Sequence, residues 1–194
     1  MKTTTSFLCI LPLMVSCTGE KEKQEDQPNV LFILADDLGY NDLSVYRENH
    51  PLESDRPPTA ETPNIDELAR GGMMFTDFYC GAAVCSPSRA ALISGRNATR
   101  AGIYNWIPVN SPMHLRDSEI TLAEMLKSGN YQTGHFGKWH LTSPGTDQPL
   151  PEDQGYDYSF FTFNNARPSH ENPVNFFRDS VEAGPLEGFA CQLV

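Results

Sequence analysis

The stretch from Asn29 to Leu34, "NVLFIL", is apolar without a break after its first residue and rich in β-branched and aromatic side chains. A strand with one wet face alternates apolar and polar residues, so an unbroken run predicts a strand buried on both faces. Such strands belong to sheets covered by helices on both sides, and this run therefore points to an α/β architecture. It ends in "ADDLG", which sets Asp36 and Asp37 side by side at the carboxyl end of the strand, where α/β sheets build their sites.

The segments that follow fit that order. "ETPNIDELARGG" predicts a short amphipathic helix with Thr62 as N-cap, Pro63 at the first helical position, Ile65, Leu68 and Ala69 on one face, and Gly71 as the stop. "MMFTDFYC" alternates loosely and predicts a strand. In "EITLAEMLKSGN", Thr121 and Glu124 form a capping box, Ile120 and Met125 occupy the positions of a hydrophobic staple, and Gly129 ends the helix. "YQTGHFGKWHL" predicts a strand from Tyr131 to Phe136 that breaks at Gly137 into a loop carrying Lys138 and His140. From Asp153 onward, aromatics, Asn, Pro and Gly predict loops with short strands, and the sequence stops without a closing helix, which reads as truncation.

With 194 residues, 39% of them hydrophobic, the chain suits one compact domain and not a disordered one. A net charge of -11 with only 14 Lys and Arg excludes a nucleic-acid scaffold, which needs clustered basic residues, and favours a small molecule or a sugar as partner. The N-terminal "SFLCILPLMVS" is shorter than the roughly 20 residues that span a bilayer and reads as the core of a signal peptide. Its end, "MVSC", resembles a bacterial lipobox, in which Cys17 carries lipid and becomes the new N-terminus. The expected organisation is a signal peptide over 1–17, a polar linker over 18–28 and a domain over 29–194. The expected location is the periplasm or outer membrane, with a lipid anchor. Outside the cytosol disulfides persist, so Cys80 and Cys191 are the pair left to bridge if Cys85 is chemically special.

Cys85 opens "CSPSRAALISG". Ser86 suits an N-cap, Pro87 the first helical position and Gly95 the stop, so a helix of about two turns is expected, with Cys85 at its positive end. Free backbone N–H groups there favour an anion or an ionised nucleophile, and Arg89 can turn its fork to the same spot. A Cys-x5-Arg phosphate loop is excluded by count, because residue 91 is Ala and residue 86 is Ser. Taken singly, such residues are more often a small buried thiol and a surface ion pair, and the spacing leaves both readings open.

"CSPSR" followed by "AALISG" resembles the first signature of the sulfatase family, and "YQTGHFGKWHL" resembles its second, with Ser94, Asn130 and Phe136 as departures from the usual residues. "NVLFILADDLGYNDLSVY" and "TPNIDELARGGMMFTDFY" are similar to the family's opening segments. The resemblance implies an alkaline-phosphatase-like α/β fold, a mixed, mostly parallel sheet flanked by helices, of which 29–194 is the N-terminal portion. It implies that Cys85 is oxidised to formylglycine by a formylglycine-generating or radical sulfatase-maturing enzyme. Asp36, Asp37 and the modified Cys85 would ligate a divalent cation, Ca²⁺ above all, whose hard character suits carboxylates. Arg89 would balance charge, Lys138 would hold a sulfate oxygen, His140 would take a proton, and His170 in "ARPSHENPVNF" would face the substrate.

The implied reaction is hydrolysis of a sulfate ester, expected to be that of a sulfated carbohydrate. It needs acceleration within or above the usual enzymatic range of about 10⁶ to 10¹⁷. An aldehyde hydrate serves it because one hydroxyl attacks sulfur and the other expels sulfate, a covalent route with a built-in second step. The family's other metal ligands and a second Lys and His would lie beyond Val194, so the 194-residue chain alone is expected to be inactive. Rival readings are a formylglycine-dependent phosphonate or phosphodiester hydrolase and a non-catalytic, glycan-binding lipoprotein.

Overall fold

The computed structural model describes residues 27–49 and 61–193. The signal-peptide and lipobox readings, with Cys9 and Cys17, lie outside the described residues. Among the described residues no helix is long and apolar enough to cross a membrane.

The chain divides into Met1–Ala35 and Asp36–Val194. In the first unit, residues 27–35 carry neither helix nor strand and are exposed, Leu31 at 85%. The strand expected at "NVLFIL" is therefore not formed. A strand buried on both faces exists only where neighbours pair its backbone and layers cover it, and this run has no ladder partner among the described residues.

The second unit begins with a 3-10 turn at Tyr40–Asp42 and the helices α1 (Ser44–Asn49), α2 (Pro63–Gly71), α3 (Cys85–Ser94) and α4 (Leu122–Ser128). Then come β1 (Gly134–Lys138), a 3-10 turn at Glu152–Gln154, β2 (Tyr158–Thr162), β3 (Phe177–Arg178), β4 (Val181–Glu182) and α5 (Ala190–Leu193). The sheet is mixed, in the order β1-β2-β3-β4. Its parallel pairing, β1 with β2, is also its longest and runs from Gly134 opposite Tyr158 to Lys138 opposite Thr162. The other two pairings are antiparallel and short. One hydrophobic core gathers Ala90, Ile103, Ile107, Leu115, Trp139 and Phe161; a smaller one surrounds Phe160 and Phe176.

Three sequence expectations are corrected here. Helix α2 forms, yet its Ile65 and Leu68 are exposed while Asp66 is buried. The reason is the start of α1, whose first backbone N–H groups have no partner within their own helix. Ser44 N–H donates to Thr62 Oγ1 (3.2 Å) and Val45 N–H to Asp66 Oδ1 (3.1 Å), so the polar side of α2 turns inward to cap α1. The strand expected at "MMFTDFYC" is absent. Two of its carbonyls, of Phe75 and Phe78, accept instead from the hydroxyls of Tyr46 and Tyr40. Strand β1 starts at Gly134 and does not break at Gly137, which stays in the strand at φ +98°. The parallel ladder carries on to Lys138, and Trp139 N–H extends it to Thr162 O (2.9 Å).

The capping box of α4 forms as read, with Glu124 N–H on Thr121 Oγ1 (3.2 Å) and Thr121 N–H on Glu124 Oε2 (2.8 Å), and Gly129 as the C-cap. The staple residues Ile120 and Met125 are both exposed. Cys80 and Cys191 are free thiols and do not bridge.

The turn after Glu152–Gln154 holds α4 against β1, since Thr121 Oγ1 donates to Gln154 O (2.7 Å) and Thr133 Oγ1 to Gly155 O (2.7 Å). Gly155 has φ +92°, and a Cβ there would lie 2.7 Å from the Glu124 backbone nitrogen. Gly145 also has a positive φ, +74°, but meets only open space. Urea unfolding of the full-length protein is expected to show Gly155→Ala losing more than about 2 kcal/mol, from backbone strain and overpacking together. Gly145→Ala should lose about 1–2 kcal/mol, the strain alone.

Candidate active site

Helix α3 starts at Cys85, two residues earlier than its sequence predicts, with extended Val84 as N-cap and Gly95 closing it in the left-handed conformation at φ +63°. Val84 supplies the first helical carbonyl, to Ser88 N–H (3.0 Å). Ser86 is thus inside the first turn and is no cap. Its hydroxyl, fully buried, accepts from Ile107 N–H (3.0 Å). Cys85 keeps the place expected for it, at the positive end of the helix.

Lys138 reaches Cys85 from the carboxyl end of β1. Its Nζ lies 3.3 Å from Cys85 Sγ, 3.0 Å from Asn165 Oδ1 and 3.5 Å from Asp36 Oδ2. An ammonium has three N–H donors, and three acceptors surround this one. Arg89, one turn into α3, holds Asp36 Oδ2 with one arm (3.1 Å) and the Lys138 carbonyl with the other. Burial works to raise the Asp36 pKa, but the charge and hydrogen bond of Arg89, and then those of Lys138, outweigh it and hold the carboxyl below its ordinary value.

His140 is buried, at φ +54°, with Nε2 3.1 Å from the carbonyl of Ile107. A carbonyl only accepts, so the proton sits on Nε2, and Nδ1, buried without a partner, carries the lone pair. Burial first, then the positive charges of Lys138 and Arg89, lower the His140 pKa to about 4, against the opposing effects of its hydrogen bond to the Ile107 carbonyl and of the Asp36 charge. The imidazole is therefore neutral at neutral pH. The peptide of Ile107 links two site elements: its N–H goes to Ser86, next to Cys85, and its carbonyl to His140.

The structure thus brings together Cys85, Arg89, Lys138 and Asp36 and couples His140 to them through Ile107. Asp37, at φ +60°, is exposed, and among the described residues no hydrogen bond or ion pair engages its carboxylate. His170 is exposed in the loop after β2, and its ring bonds to none of these residues; its carbonyl accepts from Ala190 N–H (2.7 Å). Two site residues escaped the sequence reading. Ser86 carried a signal, its place in "CSPSR", but the cap pattern explained it first. Asn165 carried none, since nothing local marks a loop asparagine 27 residues after the lysine it meets.

Among the described residues no group of three or more His, Cys, Asp or Glu side chains is assembled for a metal. The donors that are present nevertheless suit a hard cation. Asp36 is held ionised and Asp37 is uncommitted, which provides two carboxylates toward the six to eight oxygens that calcium takes.

Residues 28–181 match the family model described as Sulfatase. The chain belongs to the sulfatase family. It is 45% identical over 167 residues to arylsulfatase A of Bos taurus, covering 85% of this chain and 30% of that protein. It is 35% identical over 175 residues to an N-acetylgalactosamine-6-O-sulfatase of Bacteroides thetaiotaomicron, covering 82% and 32%. Among solved structures it resembles Ps i-CgsB, with a TM-score of 0.67 and 27% identity over 83% of this chain and 38% of that one. The chain spans less than a third of the length of the two curated relatives.

Two outcomes follow for this chain. Ser86→Ala strands the buried Ile107 N–H, and urea unfolding should show a loss of about 1–3 kcal/mol. His135 is also held at a pKa of about 4, mainly by burial, with its ring packed on Trp139 and Tyr156. Both histidines fold with a depressed pKa, so the unfolded chain binds more protons between about pH 6.5 and 4. Their contribution to stability is complete above pH 6.5 and is lost as pH falls toward 4. Thermal melts across that window should show Tm falling with pH, and falling less steeply in His135→Phe, which keeps the ring and cannot titrate.

Proposed function

We propose that the whole protein hydrolyses sulfate esters, those of sulfated carbohydrates, through a formylglycine made from Cys85. The observation that carries this reading is the seat of Cys85. It opens a helix inside the family's modification motif, with the Lys138 ammonium 3.3 Å from its sulfur and Arg89 and Lys138 both drawn to Asp36. Two fixed cations and a helix N-terminus suit a ligand that carries sulfate oxygens.

The matured residue supplies the oxygen nucleophile and the route by which sulfate leaves. Asp36, Asp37 and matured Cys85 would hold a divalent cation, calcium by the hardness of these donors, which would supply Lewis acidity at the same place. The remaining roles belong to this chain's own groups. Lys138 donates a charge-assisted hydrogen bond to a sulfate oxygen, and its contacts with Asn165 and Asp36 fix where that donor stands. Arg89 orients Asp36 and offsets negative charge. His140 accepts a proton at Nδ1, its free lone pair, while Nε2–H stays on the Ile107 carbonyl; burial disfavours the imidazolium, so the proton is readily given up again.

The carbohydrate assignment is supported by the name of the N-acetylgalactosamine-6-O-sulfatase relative and by a structure of Ps i-CgsB in complex with a neocarrahexaose. His170, exposed in the loop after β2, is assigned to substrate contact on the same reading. A formylglycine-generating or radical sulfatase-maturing enzyme is the partner that prepares Cys85. Export, with lipid on Cys17, is the location the N-terminal sequence supports.

The test is to express the full-length protein in a host that matures sulfatases and to weigh the peptide containing residue 85. The expected mass is that of formylglycine or its hydrate, and Cys85→Ala should lower sulfate release from an aryl sulfate by at least about 10³-fold. An unmodified thiol, in a host that modifies a control sulfatase, overturns the reading in favour of a glycan-binding lipoprotein.

A further inference from the structure

Lys138 and Thr162 are register partners at the ends of β1 and β2. Beyond Thr162 the chain leaves the sheet and carries Asn165, whose Oδ1 takes one N–H of the Lys138 ammonium (3.0 Å). A loop leaving a strand end has no ladder to hold it, so something else must fix the position of that acceptor.

Asn175 does so. It precedes β3 and makes three hydrogen bonds, one with the end of β2 and two with this loop. Its Nδ2 donates to Thr162 Oγ1 (3.0 Å) and to the Asn165 carbonyl (2.9 Å), and its Oδ1 accepts from Arg167 N–H (2.7 Å). The amide orientation is set by chemistry, since the Asn165 carbonyl can only accept and the Arg167 N–H can only donate. One side chain thus ties the strand end opposite Lys138, the backbone of Asn165 and the residue two further on. Val174 N–H on Arg167 O (2.7 Å) closes the same turn from the neighbouring position.

We propose that Asn175 is a positioning residue for Lys138, acting through Asn165. It reaches no atom of the cysteine cluster, and its effect passes along the Asn175–Asn165–Lys138 chain. By holding the Asn165 backbone, it fixes where the Asn165 side chain starts and so keeps a neutral acceptor on the ammonium, so that Lys138 stays between Cys85 and Asp36 and does not swing wholly onto the Asp36 carboxylate. The proposal rests on Lys138 serving sulfate ester hydrolysis as set out above.

The experiment uses the matured, full-length protein with an aryl sulfate as probe. It compares wild type, Lys138→Ala, Asn165→Ala, Asn175→Asp, Asn175→Ala and the double variant Asn165→Ala/Asn175→Asp. Asn175→Asp keeps the shape and removes both donors; Asn175→Ala covers the case in which the added charge disturbs folding, and thermal melts report folding for each. The expected result is a ten- to hundredfold fall in kcat/KM for the single Asn variants, with Tm within a few degrees of wild type. The double variant should be no worse than the poorer single, because both changes cut one chain of contacts. Losses that multiply in the double variant, or wild-type kcat/KM in both Asn175 variants, overturn the proposal while leaving the sulfatase reading intact. A matured wild type inert toward sulfate esters, or an unimpaired Lys138→Ala, removes the underlying reading and this proposal with it.

Discussion

The parallel pairing of β1 with β2 is the constraint on which the site depends. Because its register runs on to Lys138 opposite Thr162, the lysine leaves the sheet from a strand end and not from a free loop. Trp139 N–H adds one more bond to Thr162 O, which buries the indole in the main core and turns the chain into the positive φ of His140. A slip of one residue would exchange the two faces of β1 and take the ammonium away from Cys85. Placement of Lys138, burial of Trp139 and strain at His140 are therefore consequences of one ladder.

Around that ladder the site balances charge at short range. Asp36 sits between Arg89 and Lys138 and stays ionised in spite of partial burial, while the thiol of Cys85 faces the same ammonium. His140 takes the opposite course, kept neutral by burial with its free nitrogen defined by the Ile107 carbonyl. At neutral pH both groups therefore stand in their deprotonated forms, one as a carboxylate and the other as a neutral imidazole.

The parts of this arrangement that were legible in the sequence are those governed by neighbours along the chain. The capping box of Thr121 and Glu124 closes within three residues, and it formed as read. The helix carrying Cys85 and Arg89 was also legible, although its start lay two residues earlier, because Ser86 spends its hydroxyl on Ile107, 21 residues away. Helix α2 was legible as a helix but not in its facing. Its amphipathic pattern pointed Ile65 and Leu68 inward, whereas Thr62 and Asp66 turn in instead to accept from the first N–H groups of α1.

Local chemistry written in the sequence determined that a cysteine would lie at the positive end of a helix with an arginine four residues on, and that lysine and histidine would stand two residues apart. Motifs of that kind need only the short-range geometry of a helix turn or a strand end. Tertiary structure alone decided that Lys138 meets Cys85 and Asn165, that Ile107 joins Ser86 to His140, and that "NVLFIL" stays without a ladder among the described residues. The physical reason is that hydrogen bonds between distant segments depend on which strands pair and in what register, and a strand run states its need for neighbours without saying which residues will supply them.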